Sequence, residues 1–173
     1  MSMDAFDPKT IKEYSTTGRH KECLQACQQL IQHGPENPLP WKYAGKSFIA
    51  LGHFEKAKQY LAKAHQLDTN DPEIAKDIGE SFLNLGDKDA ASQWFEKSLC
   101  FNNKYAPAIN NLAHLKRQNG DNQEAINMFK NAIQADPKLV NAYVGAAASS
   151  LSLGDLDQAE SFATKAIEIN AHT

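Results

Sequence analysis

Gly18, Gly52, Gly86, Gly120 and Gly154 stand at one fixed spacing, each 34 residues after the one before. No local motif in the chain constrains its fold as strongly. Self-similarity at a fixed period marks a stack of repeated units, and 34 is the period of a helix-turn-helix unit in a solenoid. Counted from Asp4, the chain divides into units 4–37, 38–71, 72–105, 106–139 and 140–173 with no linker or insertion between them. Met1, Ser2 and Met3 precede the first unit and read as a disordered start or cloning remnant.

Several other columns keep the same register. A small residue recurs just past the middle of the first helix of each unit: Gly45, Gly79, Ala113 and Ala147, with Ile11 the exception. A second small column, Cys23, Ala57, Ala91, Ala125 and Ala159, falls early in the second helix. A third, Ala64, Ser98, Ala132 and Ala166, falls late in it, with Leu30 the exception. Helices approach to roughly 8–10 Å only where the side chains at the crossing allow it. Bulkier residues such as Leu61, Phe95 and Phe129 then fill the space beside the crossing. Within one helix, Ala57, Tyr60, Leu61, Ala64 and Leu67 follow the i, i+3, i+4, i+7 pattern of an apolar helix face.

Punctuation agrees with the period. Each glycine is placed where a helix ends in a left-handed residue. Asp87, Asp121 and Asp155 follow at the position that caps the next helix. Pro38, Pro40, Pro72 and Pro107 lie at helix starts, where a missing N–H costs little, and Asp71-Pro72 and Asp136-Pro137 mark unit boundaries.

These columns resemble the tetratricopeptide repeat family over essentially the whole chain. The second unit carries Trp41, Gly45, Phe48, Gly52, Ala57, Leu61 and Ala64 in the signature columns, and units three to five match nearly as well. The first unit departs at Asp7, Thr10, Ile11 and Cys27, and reads as a degenerate end-repeat. The resemblance implies an all-α, right-handed α-solenoid of five repeats, with first helices lining a concave groove and second helices forming the outer wall.

It also implies that the groove binds a peptide segment of a partner protein. The residues expected to line it are Lys42, Tyr43 and Lys46 in unit two, Lys76, Asp77 and Glu80 in unit three, Asn110, Asn111, His114 and Arg117 in unit four, and Asn141 and Val144 in unit five. One subfamily grips the C-terminal carboxylate of heat-shock chaperones with a Lys/Asn/Arg clamp. From Lys42 the required positions fall on Lys46, Asp77, Pro107 and Asn111, and only the first fits. Another subfamily holds peptide backbones with a ladder of asparagines. Asn111 occupies that column here, but Tyr43, Asp77 and Gly145 replace it elsewhere.

Composition and chemistry narrow the remaining classes. A net charge of −3 argues against a nucleic-acid module, which needs a basic stripe. No apolar run approaches the ~20 residues of a membrane span. Cys23, Cys27 and Cys100 are an odd, small set that suits a reducing compartment, so the chain reads as cytoplasmic. His20, Cys23 and Cys27 have helical spacing, but both cysteines fall in core columns, where free Cys behaves as a small hydrophobe. No metal or cofactor is expected. Glu73, Asp77 and Glu80 share a helix face and read as a charged strip rather than as acid-base machinery.

The expected function is therefore a protein-protein interaction scaffold and not an enzyme. The alternatives are a recruitment arm of a larger enzyme, such as a transferase, and a self-assembling unit. For the last, nothing in the sequence follows the fifth second-helix to cover Ala163, Ile167 and Ile169, so homo-oligomers through exposed ends are an expectation.

Overall fold

The computed structural model describes residues 7–171; Met1, Ser2 and Met3 lie outside them. Among the described residues there are ten helices and no strands: α1 (Pro8–Thr16), α2 (His20–His33), α3 (Pro38–Ala50), α4 (Phe54–Leu67), α5 (Pro72–Asn84), α6 (Lys88–Phe101), α7 (Ala106–Gln118), α8 (Asn122–Ala135), α9 (Val140–Ser152) and α10 (Leu156–Ala171). They follow one another as helix pairs, consistent with about five repeats.

Each pair turns at one of the five glycines, whose φ values run from 75° to 89°. The backbone closes the turn the same way each time. The N–H after the glycine reaches back five residues, as from Asp87 to Phe82 O and from Asp155 to Ser150 O, both at 3.0 Å. That bond satisfies a carbonyl the helix end would otherwise leave open. The following aspartates do not act alike. Asp87 Oδ1 accepts from Ala90 N at 2.9 Å and Asp155 Oδ1 from Gln158 N at 3.0 Å. Asp121 carries no side-chain capping bond; backbone bonds and the Lys116–Glu124 ion pair at 3.0 Å span its turn. At helix starts, Asn37 Oδ1 accepts from Leu39 N and Asp71 Oδ1 from both Glu73 N and Ile74 N. Pro38 and Pro72 take the first helical position there.

The chain divides between Trp94 and Phe95, within α6, into two compact units. In the first, α1 packs on α2, α2 on α3, α3 on α4 and α4 on α5, while α1 also touches α3 and α3 touches α5. Alternate helices therefore lie side by side and share one face. In the second unit α7 packs on α8, α8 on α9 and α9 on α10, and α7 touches α9.

The small and large columns meet in the core. Ala57, Leu61 and Ala64 are fully buried with Ile74 and Ile78 in the first unit. Ala125, Phe129 and Ala132 are fully buried with Ala142 and Ala146 in the second. At Gly45 the fit leaves no room: a Cβ would stand 2.4 Å from Leu61 Cγ. The first repeat fills the same crossing in reverse. Ile11 stands in the small column and Cys27 in the large one, and both are completely buried in one cluster with Cys23, Ala26 and Ala44. The departure of this repeat is thus an exchange of volume across the crossing, which keeps its interior packed.

Candidate functional site

In the first unit the shared face of α3 and α5 carries a series of ion pairs. Lys42, on α3, is only 8% exposed. Its Nζ lies 2.7 Å from Asp71 Oδ2 and 2.5 Å from Glu73 Oε2. Lys46, one turn on, pairs with the other oxygen of Glu73. Lys76 pairs with Asp77 and lies 3.1 Å from Glu80 Oε2. Burial penalises the charge on Lys42, but hydrogen bonds to Asp71 and Glu73 outweigh it and raise its pKa. Burial likewise works against the Glu73 carboxylate, and the bonds from Lys42 and Lys46 prevail, holding it at about 2.

Asp77 differs from its neighbours. It is 2% exposed, and burial pushes its carboxyl up against the pull of Lys76. Its Oδ2 is buried without a hydrogen-bond partner. A cleft of about 310 Å³ opens beside it, lined by Ser15, His20, Lys46, Ile49, Ala50, Lys76, Asp77 and Glu80. His20 Nδ1 is also buried and unpartnered.

Of the six residues expected in this half of the groove, Lys46, Lys76, Asp77 and Glu80 meet at the cleft. Lys42 is committed to its ion pairs behind it. Tyr43 is half-buried against the core of the first repeat, with Lys46 Nζ 5.8 Å from its ring. Ser15 and His20 were not expected there. His20 opens α2. Only the return of the chain beside α3 places it at the cleft.

In the second unit α7 and α9 form the corresponding face. Asn110 is 6% exposed, with its Oδ1 buried and unpartnered. Asn111, His114 and Arg117 are half-buried, and Arg117 Nε has no partner. The His114 ring stacks edge-on against Phe129 at 4.9 Å, and burial, then Arg117, lowers its pKa. Asn141 is exposed and Val144 is 53% exposed. Gly145, next to Val144, is buried, and a Cβ there would meet the Phe129 ring. A separate cleft of about 480 Å³, lined by Leu99, Asn103, Ile109, Met128 and Asn131 among others, contains none of the expected groove residues.

The two buried cysteines are core residues. Cys23 and Cys27 Sγ lie 4.0 Å apart, and Cys23 Sγ donates to Ile11 O at 3.4 Å. Ala163 and Ile167 on α10 are exposed, and Ile169 is half-buried. Among the described residues no helix is long and apolar enough to cross a membrane.

Paired helices repeated in register, with alternate helices forming a common face, define a helical-repeat protein of the interaction-module class. The chain belongs to the tetratricopeptide repeat family, whose model matches residues 48–115 and 116–172. Solved structures of low identity share the fold. MamA is 22% identical with a TM-score of 0.73, over 99% of this chain and 96% of that one. TTC0263 of Thermus thermophilus is 18% identical with a TM-score of 0.80, over 92% and 88%. YrrB, described as a TPR protein with an unusual peptide-binding site, is 16% identical with a TM-score of 0.64, over 92% and 82%. Among curated proteins, none matches the chain in sequence.

Proposed function

We propose that this chain is a scaffold that binds peptide segments of a partner protein on the faces of its first helices. The observation that carries this reading is the cleft on the face of α1, α3 and α5, where a buried carboxylate keeps an oxygen without a partner. Buried polar groups are nearly always satisfied in folded proteins, so an orphan beside a cleft suits a ligand donor. In the second unit Asn110, Asn111, His114 and Arg117 add amide and cationic groups, and Asn141 and Val144 lie beside them on α9. Side-chain amides offer both donor and acceptor to an extended backbone. The peptide-binding site described for YrrB supports the class of ligand.

Glu73, Asp77 and Glu80 are each held by lysine, which favours a binding role over acid-base catalysis. The free thiols of Cys23, Cys27 and Cys100 favour a cytoplasmic setting.

The test is affinity capture from source lysate with three forms of the chain. One carries Lys46→Ala and Glu80→Ala, a second Asn111→Ala and His114→Ala, and a control carries Gln59→Ala and Gln134→Ala on α4 and α8. Partners kept by the control and lost by either face variant support the reading. Partners lost only by the control overturn it.

A further inference from the structure

The cleft beside Asp77 has a chemical preference, which rests on the peptide-binding reading above. Seven charged groups pair in two sets: Asp71, Lys42, Glu73 and Lys46, balanced in sign, and Asp77, Lys76 and Glu80, which line the cleft with two carboxylates against one ammonium. Four negative charges against three positive leave one in excess. Each lysine already has a carboxylate, whereas Asp77 Oδ2 is buried with no hydrogen-bond partner. His20 Nδ1 is a second orphan lining the same cleft.

Shape agrees with charge. Ile49 and Ala50 supply apolar lining beside the carboxylates of Asp77 and Glu80. A long cationic side chain has that same division, an aliphatic stem with a charged head. An anionic ligand meets the opposite situation. It must approach a buried carboxylate, and the ammonium groups it would seek are already paired.

We propose that this cleft receives a lysine or arginine side chain of the partner's peptide, with Asp77 Oδ2 as the principal acceptor. Oδ2 has no solvent contact, so entry displaces the side chain of Glu80, which is 35% exposed, or that of Lys76, which is 16% exposed. Unlike an asparagine at this position of the repeat, which offers an acceptor oxygen and a donor NH2 group to a neutral backbone, the ionised aspartate supplies only acceptors. A partner is thereby selected for a basic residue at one point of its sequence.

The probe is a phage-displayed library of random dodecapeptides, selected on the full chain. The expected result is a pool sharing lysine or arginine at one position. A chosen peptide should lose at least tenfold in affinity when that residue is replaced by norleucine. The same replacement should cost less than twofold against Asp77→Asn, because the acceptor's charge is already gone. Should Asp77→Asn lose its helical circular dichroism, Ile49→Lys replaces it. That variant sets a resident ammonium at the cleft and should weaken the basic peptide more than tenfold, while Ile49→Leu leaves it unchanged. Peptides that bind the first unit's face with no dependence on a basic residue overturn the cationic preference and leave the peptide-binding reading intact. Peptides indifferent to every substitution on the helix faces of both units overturn the two together.

Discussion

Asp71 joins two successive repeats: its Oδ1 caps α5 through Glu73 N, and its Oδ2 lies 2.7 Å from Lys42 Nζ on α3. One side chain thus starts a helix and anchors that helix to its neighbour across the shared face. Glu73 completes the arrangement by bridging Lys42 and Lys46. The charged face of the first unit is structural on its inner side and available on its outer side.

Replacing Lys42 with methionine keeps the stem and removes the ammonium, leaving Asp71 and Glu73 side by side without it. The expected loss is about 1–3 kcal/mol, below that for breaking a fully buried pair because both carboxylates keep some solvent. Urea denaturation measures it. A variant as stable as the native chain would show that the ion pair contributes nothing.

Acid should act on the same cluster. Glu73 is depressed from 4.5 to about 2 in the folded state. A depressed carboxyl stabilises the fold fully above its unfolded value and loses that contribution as pH falls toward its folded one. The urea midpoint should therefore drop as pH falls from about 4.5 toward 2. Glu73→Gln should flatten that part of the profile.

His114 gives a second pH window. Its pKa lies below the ordinary 6.5 because of burial first and Arg117 second. A base held neutral by folding favours unfolding once it must be protonated, so stability falls as pH drops through 6.5 toward the folded value. An NMR titration of the imidazole should find it below 6.5 and should move it partway back up in Arg117→Gln, with burial still acting. A value at or above 6.5 contradicts the environment described.

The helix crossings should reject added volume. Ala91 and Ala125 are completely buried, and leucine at either should cost about 1–3 kcal/mol by overpacking. Thermal melts showing no loss would refute the register of these columns.

Gly145 tests close packing in the second unit. A Cβ there would stand 2.3 Å from Phe129 Cζ, and Phe129 is fully buried, so its ring cannot swing clear. Gly145→Ala should be destabilising by about 1–3 kcal/mol, and Phe129→Leu should make the same change less costly. Additive effects of the two changes would rule out the contact.

The repeat was legible because its cause is local and recurs. Glycine at the turns, alanine at the crossings and proline at the helix starts act through backbone geometry and volume, and a 34-residue period brings each into view five times or nearly so. The cleft was only half legible. Lys46, Lys76, Asp77 and Glu80 lie at predictable positions of first helices, but nothing in their spacing tells which carboxylate keeps an unpaired oxygen. That depends on which lysine reaches which acid across neighbouring helices. His20 and Ser15 come to the cleft from the first repeat, where the sequence signature is weakest.

The sequence by itself determined the helix pairs, their turns and their core columns, since these follow from side-chain volume and backbone conformation within each repeat. Tertiary structure alone decided that Ile11 and Cys27 exchange volumes across a crossing, that Lys42 is committed to Asp71 and Glu73, and that Asp77 keeps a buried oxygen without a hydrogen-bond partner. Each of those outcomes is a contact between separate helices, set by packing distance and by competition among charges.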